Sequence, residues 1–240
     1  MANRQRAEAR RKAQAKAARS GEGGNKMMLW IALGVVVLLG GGIAFFATRG
    51  DDATASDNSS ASTPSNNFPD SQPVNIIGEP LTAYAAGGTD LAVGMPAPKL
   101  EGLDFRGQDI TVSSEDGPYM VIFLAHWCPH CNAEVPRLID WRNSGAVPAD
   151  LNVIGVATAV AKDGANYPPS TWFSNKGWPW PVLVDEADGN GDAGLAAQAY
   201  GASGWPYFVI VGEDGLVKVR VSGEVESAEL QEIVAAALAS

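Results

Sequence analysis

Val121-Ile122-Phe123-Leu124-Ala125-His126-Trp127-Cys128-Pro129-His130-Cys131 is the stretch on which the fold turns, because it carries the only two cysteines of 240 residues directly behind an apolar, β-prone run. Such a run followed at once by Cys-Pro-His-Cys predicts a buried strand, a tight turn and a helix N-terminus. A sulfur placed there lies beside backbone N–H groups without intrahelical partners and beside the positive end of the helix dipole, which favours the thiolate. A thiolate attacks disulfides. The spacing therefore predicts thiol–disulfide exchange, with Cys128 as the attacking sulfur and Cys131 as the resolving one.

Two other uses of this pair fit less well. Structural zinc takes about four ligands, and only His126 and His130 stand near, with no second CxxC and no other histidine in the chain. A purely structural disulfide stabilises most when it closes a longer loop. No metal and no cofactor is expected for the exchange itself.

Residues 27–47, from Met27 through Val35-Val36-Val37 to Ala47, form the one long apolar run without charge. About 20 apolar residues suffice to span a bilayer as a helix. A cleavable signal peptide has an apolar core of only about 7–15 residues and a small-x-small site, so an uncleaved transmembrane anchor is the expectation. Its orientation follows from the flanks. Residues 1–26 hold eight Lys/Arg against Glu8 and Glu22, whereas the rest of the chain holds nine basic and 25 acidic groups. Basic flanks stay in the cytoplasm. This predicts a basic cytoplasmic leader over 1–26 and a catalytic domain exposed in an extracytoplasmic, oxidising compartment, where a CxxC can work as a disulfide catalyst. A charge run abutting a membrane helix is read as an orientation signal in contact with the lipid bilayer, not as a nucleic-acid arm.

Residues 48–73 are dominated by Asp, Ser, Asn, Ala, Thr and Pro, a composition that predicts a disordered polar linker. Residues 74–92 contain short apolar pieces broken by Gly87-Gly88 and are expected to form a short strand extension. From Val93 to Ser240 the chain is long enough for one domain with one core. Its pattern reads as a hairpin (98–103 and 109–112), strand 119–125, a helix from Cys131 to Asn143, strand 151–157 and a helix from Pro169 to Lys176. Strand 182–184, a helix from Ala193 to Tyr200, strands 207–211 and 216–222 turning at Gly212-Glu213-Asp214-Gly215, and an amphipathic helix over 227–239 complete it. The fold class is α/β, a mixed sheet with parallel and antiparallel parts flanked by helices on both faces.

With these elements in place, residues 93–240 resemble the thioredoxin superfamily, and within it the membrane-tethered TlpA/ResA-like thiol–disulfide oxidoreductases. The resemblance rests on Val93-Gly94-Met95-Pro96-Ala97-Pro98, Phe105-Arg106-Gly107, Trp127-Cys128-Pro129-His130-Cys131 followed by Glu134-Val135-Pro136, and Gly204-Trp205-Pro206-Tyr207-Phe208. It implies a cis-proline at Pro206, with Trp205 N–H and C=O available to an extended substrate chain. It also implies an acid near the sulfurs at Glu134 and a bend at Pro136 in the active-site helix. Of the tryptophans that could line a substrate groove (Trp127, Trp172, Trp178, Trp180, Trp205), Trp127 and Trp205 adjoin the chemistry in sequence and are the expected substrate-binding pair.

The chain departs from that pattern twice. Thioredoxin keeps a buried Asp on the strand before its active site, where Ile122 stands here, so proton transfer at Cys131 falls to Glu134 or water. The Pro129-His130 dipeptide resembles that of the disulfide-forming enzyme DsbA, and a histidine there stabilises the Cys128 thiolate and makes the disulfide more oxidising. The expected function is thus disulfide exchange with cysteine-containing exported proteins, as oxidant, with a membrane redox partner recycling the CxxC. A reductant for cytochrome c maturation or a similar partner is the alternative within that chemistry. A copper-binding chaperone using His126, Cys128, His130 and Cys131 is the alternative outside it, and a peroxidase fits less well because the peroxidatic Thr and Cys spacing is not apparent.

Overall fold

The computed structural model describes residues 68–188 and 192–240. These residues form β1 (Asn75–Ile77), β2 (Lys99–Leu103), β3 (Asp109–Val112), β4 (Tyr119–Leu124), α1 (Pro129–Asn143) and β5 (Asn152–Ala157). They continue with α2 (Pro169–Lys176), β6 (Val182–Val184), α3 (Leu195–Ala199), β7 (Tyr207–Val211), β8 (Val217–Ser222) and α4 (Ser227–Leu238). The leader, the anchor over 27–47 and residues 48–67 of the expected linker lie outside the described residues. No described helix is long and apolar enough to cross a membrane.

The main sheet has the order β6-β5-β4-β7-β8, with β4, β5 and β6 parallel and β7 and β8 antiparallel. Every residue of β4 is buried, which explains the unbroken apolar run in its sequence. Alternation then divides its side chains between two cores. Met120, Ile122 and Leu124 join Cys131, Val135, Leu138 and Trp141 of α1, Trp172 and Phe173 of α2, and Leu230 and Val234 of α4 on one face. Tyr119, Val121 and Phe123 join Ala196, Ala197 and Tyr200, at and just beyond α3, together with Leu100 and Val112, on the other.

The second face is covered by one helix of five residues, and the N-terminal extension completes it. β1 pairs with β2, making a three-stranded antiparallel sheet β1-β2-β3, and Val74, Leu81 and Ala92 are buried in the same core. Gly94 N–H donates to Val217 O at 2.8 Å and Val217 N–H to Met95 O at 2.9 Å, so the extension also covers the start of the edge strand β8. An ion pair between the buried Arg220 and the half-buried Asp90 fastens it there, with Arg220 donating also to Thr82 O at 2.7 Å.

Several ends differ from the expected ones for local reasons. α1 begins at Pro129, two residues before Cys131, because Pro is preorganised for the first helical position, leaving Cys128 as N-cap with φ −71° and ψ 123°. Strand β4 stops at Leu124, since Ala125 O accepts the Cys128 N–H at 3.0 Å and closes the turn. α3 is shorter than the expected 193–200, because Asp185, from the end of β6, takes the N–H groups of Ala196 and Ala197 at 2.8 and 3.2 Å and fixes where the helix starts. Gly194 is required beside it: a Cβ there would stand 2.4 Å from the Asp185 carboxyl carbon.

Candidate active site

Register places the two halves of the site. β7 runs antiparallel to β4 with Tyr207 opposite Phe123, so the chain just before β7 passes the C-terminal end of β4, where α1 begins. The Trp205–Pro206 peptide is cis, and Trp205 O accepts from Cys128 Sγ at 3.5 Å. Both cysteines are free thiols, Cys128 with 5% of its surface exposed and Cys131 with none. Of the two, only Cys128 keeps any exposed surface. Burial pushes the Cys131 thiol far up, and the neighbouring Cys128 and the Glu134 charge push the same way.

Glu134 sits one helical turn beyond Cys131 on the buried stripe Cys131, Glu134, Val135, Leu138. Its carboxyl is fully buried. Oε2 accepts the Val225 N–H at 3.1 Å and an Arg137 N–H at 3.3 Å, while Oε1 has no partner among the described residues. Burial raises its pKa against those two hydrogen bonds. A carboxyl in this state, next to a thiol that resists ionisation, can take up the Cys131 proton or return it.

Pro136 lies inside α1. Lacking an N–H, it leaves the Asn132 carbonyl without its helical donor, and Lys176 Nζ at the end of α2 takes that carbonyl at 3.1 Å. The Asn132 side chain donates to His126 O at 3.1 Å and Cys128 O at 3.0 Å and accepts from Trp172 Nε1 at 2.9 Å. Asn132 thereby ties the CxxC turn to α2.

His126 is buried and held by the 158–168 loop: Ala161 N–H donates to Nε2 at 3.3 Å, so Nδ1–H donates to Ala165 O at 2.7 Å. Burial lowers its pKa. Trp127 Nε1–H donates to Ala159 O of the same loop at 2.6 Å, leaving 36% of the residue exposed at the rim. His130 is exposed, and its Nδ1 lies 2.7 Å from Glu224 Oε1. The four-ligand copper set is therefore not assembled: His126 has both nitrogens engaged by backbone and His130 faces Glu224. Among the described residues no group of three or more His, Cys, Asp or Glu is placed to hold a metal ion.

The structure thus brings together Cys128, Cys131, Glu134, Trp205 and Pro206, with Trp127 at the rim and Pro129 opening α1. Of the remaining tryptophans, Trp172 supports the site from the core through Asn132, whereas Trp178 and Trp180 make no contact with these residues among those described. Trp178 meets Phe173 edge-on at a ring distance of 5.6 Å and Trp180 meets Trp178 edge-on at 5.0 Å, on the side of α2 toward Phe105. Reasoning from sequence did not find Asn132, Arg137 or Glu224. Asn132 and Arg137 had a signal in their helical spacing from Cys128 and Glu134, whereas Glu224 is 94 residues from His130 and had none.

A mixed five-stranded sheet between two helical layers, with a CxxC capping the first helix and a cis-proline across from it, defines a thioredoxin-like fold. The family model described as "AhpC/TSA family" matches residues 93–220, and the chain belongs to that family. It is 30% identical over 118 residues to the "Thiol:disulfide interchange protein DsbE" of Vibrio cholerae, covering 49% of this chain and 56% of that protein. The protein of the same name from Escherichia coli K12 is 29% identical over 136 residues, covering 55% and 66%. The chain thus matches less than two thirds of the length of these curated relatives. A thiol:disulfide interchange protein of the thioredoxin family from Chlorobium tepidum has a solved structure with TM-score 0.47 and 22% identity, over 59% of this chain and 94% of that one.

Proposed function

We propose that this protein is a thiol–disulfide oxidoreductase that exchanges a Cys128–Cys131 disulfide with cysteines of other proteins. The observation that carries the reading is the pairing of a thiol at a helix N-terminus, 5% exposed and facing the Trp205 carbonyl, with a fully buried thiol one turn behind it. In the reducing direction the Cys128 thiolate attacks a substrate disulfide and forms a mixed disulfide, and the substrate's leaving sulfur takes up a proton. Cys131, giving its proton to Glu134, then attacks Cys128 Sγ and releases the second substrate sulfur. Two electrons pass from the dithiol to the substrate. The oxidising direction is the reverse, with Glu134 returning the proton to Cys131.

The proposed direction in the cell is oxidation, because the helix N-terminus and the histidine of the Pro129-His130 dipeptide both favour the reduced thiolate and raise the potential. The anchor over 27–47 and the basic leader support placing the domain outside the cell membrane, acting on exported proteins and recycled by a membrane redox partner. Reduction is the second reading. The Glu224 carboxylate paired with His130 and the buried Glu134 beside Cys131 favour it, since negative charge near the sulfurs disfavours the thiolate. Equilibration of the full-length protein with glutathione buffers decides between them. The oxidant reading predicts a potential well above that of thioredoxin, and a value at or below about −270 mV overturns it in favour of the reductant.

A further inference from the structure

Beside the two sulfurs runs a chain of polar groups of which the exchange steps use only Glu134. The two oxygens of Glu224 each hold one partner: Oε1 lies 2.7 Å from His130 Nδ1, and Oε2 accepts from Arg137 at 2.6 Å. The same Arg137 nitrogen donates to Glu134 Oε2 at 3.3 Å. The next residue, Val225, donates its N–H to that Glu134 oxygen at 3.1 Å. Residues 224 and 225, between β8 and α4, thus touch the exposed imidazole with a side chain and the buried carboxyl with the backbone.

An imidazole with 66% of its side chain exposed is free to turn among rotamers, and its electrostatic effect on a neighbour is screened by water, unless something holds it. A carboxylate with one oxygen engaged by an imidazole and the other by a guanidinium is itself fixed, and the hydrogen bonds it accepts are of the stronger, charge-assisted kind. His130 first and Arg137 second hold the Glu224 carboxyl below the ordinary carboxylate range. Glu226 provides the contrast: it is 75% exposed and meets Arg137 at 3.2 Å.

We propose that Glu224 is the positioning residue through which His130 tunes the Cys128–Cys131 couple, orienting the imidazole beside the CxxC and linking it through Arg137 to the acid next to Cys131. The inference rests on the exchange reading and adds a residue to it. His130→Ala lowers the reduction potential because it removes a group that stabilises the reduced thiolate. That effect depends on Glu224.

The test is a double-mutant cycle on the exchange constant of the full-length protein with glutathione, in detergent, for the wild type, His130→Ala, Glu224→Gln and the double variant. A matching cycle with Glu226→Gln tests whether any lost carboxylate near Arg137 acts alike. All three positions are solvent-exposed, so folding is preserved. The expected result is a shift by His130→Ala of about tenfold, equal to about 30 mV, in the wild-type and Glu226→Gln backgrounds. In the Glu224→Gln background it falls below about threefold. An equal shift in all three backgrounds, no shift in any, or the same loss in both carboxylate variants overturns the proposal while exchange itself stands. A wild type that does not exchange with glutathione overturns the exchange reading, and this inference with it.

Discussion

Glu134 occupies a position on α1 where spacing calls for an apolar side chain, three residues after Cys131 and one before Val135. Its stripe was legible in the sequence, because 131, 134, 135 and 138 share one helical face; what was not legible was that the Val225 N–H and Arg137 would reach in to hold it. Holding an ionised carboxyl there costs stability, and the sign follows from the raised pKa. The folded protein binds this proton more tightly than the unfolded chain, so stability falls as pH rises from the ordinary carboxylate value of about 4.5 through the raised one. Glu134→Gln keeps the shape and removes the charge. The oxidised variant should be more stable than the wild type to urea at pH 8 and lose that advantage at pH 4. Resolution of a mixed disulfide at Cys128 should slow by on the order of 10²-fold, the range for loss of a general acid–base group. A variant that resolves at the wild-type rate would leave Glu134 with no part in the proton step.

At the scale of elements, the sequence was most informative where one local rule acted alone. The run before Cys128 is β4 to within a residue, Pro169 to Lys176 is α2, and Val182 to Val184 is β6, because periodicity and prolines mark their bounds. It was least informative where a distant side chain sets an end. Asp185 supplies the N-terminal cap of α3 from the strand before it, across the intervening loop, while the cap residue Gly194 has no side chain to do so. Asp185 is 3% exposed, and burial raises its pKa against its hydrogen bonds, first that with Thr158. Asp185→Ala leaves two helix N–H groups without these acceptors and should destabilise the protein by about 1–3 kcal/mol in urea unfolding. Because α3 packs on the face away from Cys128, the exchange rate of the folded fraction should not change.

For the molecule as a whole, the extension was legible only as short apolar pieces, and its purpose only in three dimensions. A five-residue α3 cannot cover one side of the sheet, so Val74, Leu81 and Ala92 complete that core and Asp90 reaches Arg220 on β8. Tyr84 N–H donates to Gly201 O at 2.8 Å and Ser203 Oγ to Tyr84 O at 2.9 Å, so the extension also holds the loop that carries Trp205 and Pro206 to the sulfurs. The two cysteines, by contrast, stand out in the sequence by spacing alone, and in the structure Cys128 keeps 5% of its surface exposed and Cys131 none. The most direct test of the account uses that inequality. Full-length Cys131→Ser and Cys128→Ser variants are incubated with a protein carrying an exposed disulfide, and mixed disulfides are read by mass under non-reducing conditions. The account predicts a stable mixed disulfide through Cys128 in Cys131→Ser and none in Cys128→Ser. Capture through Cys131 in Cys128→Ser, with none in Cys131→Ser, would contradict it.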